Sequence, residues 1–167
     1  MGPTPGKGAG PVTRLLVPFL LLAGFACSSK PPDLMVVAED DKDMNAAMEK
    51  ARKSVDKFIK AFQKQRKGQS DFGVKMAIRD GKKVEHFWVE ITRFDGNQFE
   101  GTISNEPTMV TTVKSGDLVK VEKNRIEDWM YVEKGKLVGG YTVRVLRDRL
   151  SSGERKALDD SLPYKID

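Results

Sequence analysis

The pair Asp80-Gly81 sits between two runs in which apolar and polar residues alternate, and that arrangement leaves the chain few folds to adopt. A strand turns successive side chains to opposite faces, so each run reads as a strand, and Asp-Gly between them is a strong signal for a tight hairpin. The first run places Phe72, Val74, Met76 and Ile78 on one face. The second, residues 85–91 (EHFWVEI), sets Phe87, Val89 and Ile91 against His86, Trp88 and Glu90. The set led by Phe87 reads as core. His86 and Trp88 are then either covered by a second layer or open to a ligand, and alternation leaves both readings standing.

Further turns extend the hairpin. Asp95-Gly96-Asn97 leads into Phe99, Gly101 and Ile103, where a glycine among bulky neighbours predicts a bulge or a bend. Asn105-Glu106-Pro107 breaks the pattern, residues 109–113 resume it briefly, and Ser115-Gly116-Asp117 turns the chain into a strand carrying Leu118, Val119 and Val121. Ahead of the sheet, Met44, Met48, Ala51, Val55, Phe58 and Phe62 recur at steps of three and four, the apolar stripe of an amphipathic helix. Asp40, Asp41 and Asp43 suit its positive end, and Gly68 predicts its stop, so the helix is expected over residues 43–67. Lys50, Lys53, Lys57, Lys60, Lys64 and Lys67 fall opposite the apolar set and make a basic stripe. That stripe suits an anionic partner, and equally reads as a solvated face.

Towards the C-terminus a second aromatic cluster, Ile126 to Tyr131, is followed by Gly139-Gly140 and a helical spacing of Val143, Leu146 and Leu150. A short helix is expected over 142–150, although residues 141–145 have strand character. Residues 151–167 read as an exposed tail with a short helix over 152–162 and little core. The expected fold is α+β: a long N-terminal amphipathic helix packed on a curved antiparallel β-meander of four to five strands, with a short C-terminal helix. Residues 41–150 form its single domain, and residues 34–38 (LMVVA) suit a short edge strand.

Residues 1–26 have the layout of a signal peptide, with two positive charges, then an apolar run too short to span a bilayer and interrupted by Pro18. The run ends in Ala23-Gly24-Phe25-Ala26-Cys27, which resembles a bacterial lipobox with Gly24 where Leu is usual. Cys27 is therefore the expected lipidation site, residues 27–40 a tether, and the membrane a partner through the lipid anchor. In a Gram-negative source, Ser28 after the cysteine implies, by resemblance to enterobacterial sorting, an outer-membrane protein facing the periplasm. Removing Lys7 and Arg14 with the leader leaves 27 basic minus 24 acidic residues, or +3, which calls for no nucleic-acid partner. With a single cysteine there is no internal disulfide and no zinc pattern, and no cofactor is implied.

The helix with Met44, Ala47, Ala51, Arg52 and Phe58, then Val74-Lys75, Glu85 to Val89, Phe99-Glu100-Gly101, Asn105-Glu106-Pro107, Gly116-Asp117, Asp128-Trp129 and Gly139 to Thr142 occur in this order. Together they resemble a bacterial family known only as domain of unknown function 2314, which includes YegJ-like lipoproteins. The resemblance covers about residues 41–146 and implies neither an activity nor catalytic residues.

Glu85, His86 and Asp128 are the candidate acid, base and orienting group of a hydrolase, since a carboxylate beside an imidazole tunes its protonation. No recognisable nucleophile accompanies them. Trp88, Trp129 and Tyr131 are candidates for a stacking platform, or else core. The Asp128-Trp129 pair is also explained by an indole packed on the sheet and a carboxylate capping a backbone amide. The expected function is a non-enzymatic, lipid-anchored envelope domain that binds a macromolecule through His86, Trp88, Asp128, Trp129 and Tyr131, or an anionic one through the lysine stripe. An immunity-type toxin inhibitor and the hydrolase are the alternatives.

Overall fold

The computed structural model describes residues 41–167. The leader, Cys27, the tether and the strand predicted at 34–38 lie outside the described residues. Helix α1 (Lys42–Gln63) starts where Asp41 accepts a hydrogen bond from the Met44 amide at 3.0 Å, as the acid-rich start predicts. It ends at Gln63, short of the expected Lys67. The apolar stripe gives out at Phe62, and Gln65 and Arg66 offer nothing to bury, so another turn would gain no packing. Lys64 becomes the C-cap and Lys67 lies beyond the helix, which shortens the basic stripe.

Six strands follow, all antiparallel: β1 (Gln69–Asp80), β2 (Lys83–Phe94), β3 (Gln98–Ile103), β4 (Leu118–Glu122), β5 (Asp128–Glu133) and β6 (Lys136–Gly139). Their order across the sheet is β4-β3-β2-β1-β5-β6. The first four form the expected meander, with the hairpin closing at Asp80↔Lys83. The register slips between Ile91 and Arg93 opposite Gly101, where a Cβ would stand 2.0 Å from the Glu90 carbonyl oxygen. Only glycine fits that bulge.

The count of six exceeds the expected four to five because β5 and β6 return across the hairpin to pair with the free edge of β1. Five of the six β5 residues are buried, so both faces of the strand are covered and its sequence, DWMYVE, shows no alternation. Residues 109–113 form no strand; they belong to a loop held against the sheet end by Val110. Helices α2 (Tyr141–Arg149) and α3 (Ser152–Ser161) complete the chain. The Ser151 and Glu154 side chains close a capping box on α3.

Helix α1 covers the inner sheet face. Ala51, Val55, Phe58 and Ile59 pack on Phe72, Val74, Met76, Val89, Ile91, Phe99, Val121, Trp129 and Tyr131. The outer face is covered only at its β5-β6 end, and there the expectation of an exposed tail is overturned. Tyr164 and Ile166 are buried with Met130, Val132 and Leu137, and the Leu137 amide donates to the Lys165 carbonyl at 2.8 Å. Pro163 ends the α3 pattern but leaves the last residues free to lie along β6. Among the described residues no helix is long and apolar enough to cross a membrane.

Candidate functional site

Register assigns the candidate residues to faces. Lys75 on β1 pairs with Trp88 on one side and Asp128 on the other, and Ala77 pairs with His86, so these residues share the outer face. Val74 pairs with Val89 and Trp129, which places Trp129 on the inner face. Its indole is wholly buried, donates to the Ala51 carbonyl at 2.9 Å and meets Phe58, Tyr131 and Tyr141. Tyr131 is buried too and stacks on Phe72 at 5.0 Å. Neither ring is presented to a ligand, because the helix that completes the core lies on top of them.

The three supposed catalytic groups do not converge. Glu85 faces the same side as Phe87, where its carboxylate accepts hydrogen bonds from the amides of Thr108, Met109 and Val110 and from the Thr108 hydroxyl, at 2.8–3.1 Å. Burial pushes its pKa up, but those donors outweigh it and the net shift is downward. Its role is to pin the loop between β3 and β4. Asp80 does the same at the hairpin end, accepting from the Thr111 amide and hydroxyl at 2.9 Å each.

Asp128 is wholly buried at the start of β5. It accepts from the Trp129, Tyr141 and Thr142 amides and the Thr142 hydroxyl at 2.7–3.2 Å. It therefore caps the first turn of α2, whose own N-cap, Gly140, has no side chain to do so. The combination of a packed indole and a capping carboxylate is present, on a strand rather than in a turn. Burial raises the Asp128 pKa, opposed by the Thr142 and Trp129 hydrogen bonds. The Lys75 amine reaches the Thr142 hydroxyl at 3.4 Å; burial lowers its pKa, opposed by the charges of Asp128 and Glu127. Burial thus prevails at both groups, and at Lys75 the Asp128 charge is the larger of the two that oppose it.

His86 stays at the surface, its side chain 47 % exposed, and its Nδ1 lies 2.6 Å from a Glu127 carboxylate oxygen. Glu127 takes the orienting role that the sequence suggested for Glu85 or Asp128. Trp88 is half-buried: its indole lies over Gly73 and against the Met130 cluster, and its amide donates to the Asn105 side chain at 2.9 Å. Beyond it the outer face continues through Glu90, Thr102 and Leu118, the last 71 % exposed. A cross-strand ladder of Arg93, Glu100 and Lys120 closes that side.

Sequence reasoning missed Lys75, Glu127 and Thr142. The first two left faint signals, a lysine inside an apolar strand and a second acid beside Asp128. Thr142 left none. Of the basic stripe, Lys53 pairs with Glu49 and Lys50 lies over the Tyr141 ring at 5.1 Å. Lys57 and Lys60 are exposed on the helix, whereas Lys64 and Lys67 are exposed at or past its end. Among the described residues no group of three or more His, Cys, Asp or Glu is arranged to hold a metal ion.

Comparison with known proteins places the same body. The model of a bacterial family described as "Uncharacterized protein conserved in bacteria (DUF2314)" matches residues 41–164. The chain is 40% identical over 126 residues to the uncharacterized protein YegJ of Escherichia coli K12, covering 75% of this chain and 79% of that one. It is 34% identical over 131 residues to a putative ankyrin repeat protein of Neisseria meningitidis serogroup B, covering 74% of this chain and 52% of the relative, so it spans about half of that protein. No solved structure matches.

Proposed function

The chain belongs to this DUF2314 family, and we propose that it is a lipid-anchored, non-enzymatic domain of the bacterial envelope that binds another macromolecule on its outer sheet face. The observation that carries this reading is the asymmetry of the sheet. Its inner face is sealed by α1, while on the outer face the C-terminal residues cover Trp88 only in part and leave His86 and Leu118 exposed. A surface that mixes an aromatic ring, an aliphatic side chain and a His-carboxylate pair is suited to docking. Glu85 and Asp128 have spent their oxygens on backbone and hydroxyl donors, which argues against the hydrolase. Support for the anchor is the apolar run ending at the sole cysteine, Cys27.

Site-specific photocrosslinkers at Thr102 and Leu118 in living cells test the docking face. A discrete adduct is expected, lost in the Trp88→Ala/His86→Ala double variant and absent from a crosslinker at Lys156 on α3. Equal labelling from all three positions would refute the face. Labelled palmitate should be incorporated by the wild-type chain and not by Cys27→Ser, and a wild-type chain that takes up none would remove the anchor.

A further inference from the structure

Helix α1 carries a ridge of five lysines, of which only Lys53 is paired with a carboxylate of the same helix. Lys42, Lys50, Lys53, Lys57 and Lys60 are all exposed. At about 100° per residue they fall within an arc of about 80°, and Ala46 is the small residue between them. The buried positions Met44, Ala47, Ala51, Val55, Phe58 and Ile59 occupy the opposite side. Three acids on the helix are already engaged: Asp43 by Arg149, Glu49 by Lys53 and Asp56 by Lys123. Lys42, Lys50, Lys57 and Lys60 make no ion pair among the described residues. The ridge runs about 27 Å, at about 1.5 Å per residue from Lys42 to Lys60.

We infer that this ridge lies along an anionic phospholipid leaflet, so that α1 forms the membrane-facing side of the domain. The inference rests on the anchored reading above and deepens it. From the acyl-cysteine position to Asp41 the chain has thirteen residues, a contour of at most about 45 Å, longer than the ridge itself. A lipid on Cys27 therefore lets the helix reach the surface that holds the anchor. Layer order supplies the rest. The sheet lies between α1 and the outer face, so a membrane-bound ridge points Trp88, His86 and Leu118 into the aqueous compartment. The arrangement leaves the docking face open to a partner.

A bilayer and a soluble polyanion both offer negative charge to such a ridge, and the test separates them. The probe protein is the chain from residue 27 with Cys27→Ser, which contains all three core clusters and therefore the complete described fold. It is sedimented with vesicles of phosphatidylcholine alone or with about 30% phosphatidylglycerol at about 0.1 M salt. We expect at least a tenfold preference for the anionic vesicles, lost in high salt. Each Lys→Gln at positions 42, 50, 57 and 60 should weaken binding by about fivefold. Without Cys27 the chain has no other thiol, so dyes on Ala46→Cys and Leu118→Cys report orientation. The Ala46 dye should be quenched by nitroxide headgroup lipids and the Leu118 dye should not. The inference is overturned if there is no anionic preference, if the fourfold Gln variant binds as wild type does, or if the Leu118 dye is quenched. Capture by long-chain polyphosphate with vesicles ignored would overturn the bilayer as partner. Because this protein carries no lipid, its result is independent of whether Cys27 takes up palmitate in cells.

Discussion

Trp129 and Trp88 are separated by a single strand, one pairing with Val74 and the other with Lys75, yet they have opposite fates. Trp129 points under α1, meets three aromatic rings and donates its indole hydrogen to Ala51. Trp88 points to the other side, where cover comes only from the C-terminal residues beside β5 and β6. The contrast shows that ring chemistry does not decide burial in this domain. The second layer does, and the two faces have different ones.

The comparison breaks most visibly under truncation. Trp129→Ala should cost about 3–5 kcal/mol in urea unfolding, since a large buried ring is lost and a cavity remains under α1. A loss near that for Trp88→Ala would show that the outer face is as well covered as the inner. Asp128→Ala, on the outer side of the same strand start, should cost about 3 kcal/mol. It strands the Thr142 and Tyr141 amides and removes the larger of the two counter-charges of Lys75, so α2 should lose hydrogen-exchange protection first.

Smaller effects sharpen the picture. Glu85→Ala should cost about 2 kcal/mol and deprotect the amides of Thr108, Met109 and Val110 while those of α1 stay protected. Trp88→Ala, which removes a half-exposed ring, should cost about 1 kcal/mol and act mainly on binding. The mildest test lies at the start of α1. The Arg149 guanidinium and the Met44 amide hold Asp41 down from 3.8 to about 2. A carboxylate whose folded pKa is depressed stabilises the fold fully above its unfolded value near 4 and loses that contribution as pH falls towards 2. Arg149→Gln should therefore raise the Asp41 midpoint measured by NMR towards 3.8 and move acid unfolding to a higher pH. An unmoved midpoint would detach the α2 terminus from α1.

Where period and turn chemistry were local, the reading of the chain agrees with the fold. The Asp80-Gly81 hairpin, the face bearing Phe87, Val89 and Ile91, and the bulge at Gly101 all follow from neighbours in sequence. The stripe that defines α1 does too, although the helix stops where burial stops. β5 was illegible as a strand because covering both its faces erases the alternation on which such a reading depends. The end of the chain misled for the opposite reason: Tyr164 and Ile166 are two isolated apolar residues among charges, and only β6 beside them makes them core.

The candidate site divides along the same line. Residue types alone picked out His86, Trp88 and Asp128; alternation puts His86 and Trp88 on one face, whereas Asp128 joins them only because β5 pairs with β1. Which carboxylate serves His86 is a property of the fold. Glu85 is its neighbour in sequence but points to the opposite side of the pleat and pins a loop, whereas Glu127 is 41 residues away and is brought to 2.6 Å by the return of β5 alongside β1. Local pattern sets the direction of each side chain from its strand. Long-range pairing sets what it meets there, since strand neighbours are chosen by burying apolar surface across the whole domain rather than by adjacency along the chain.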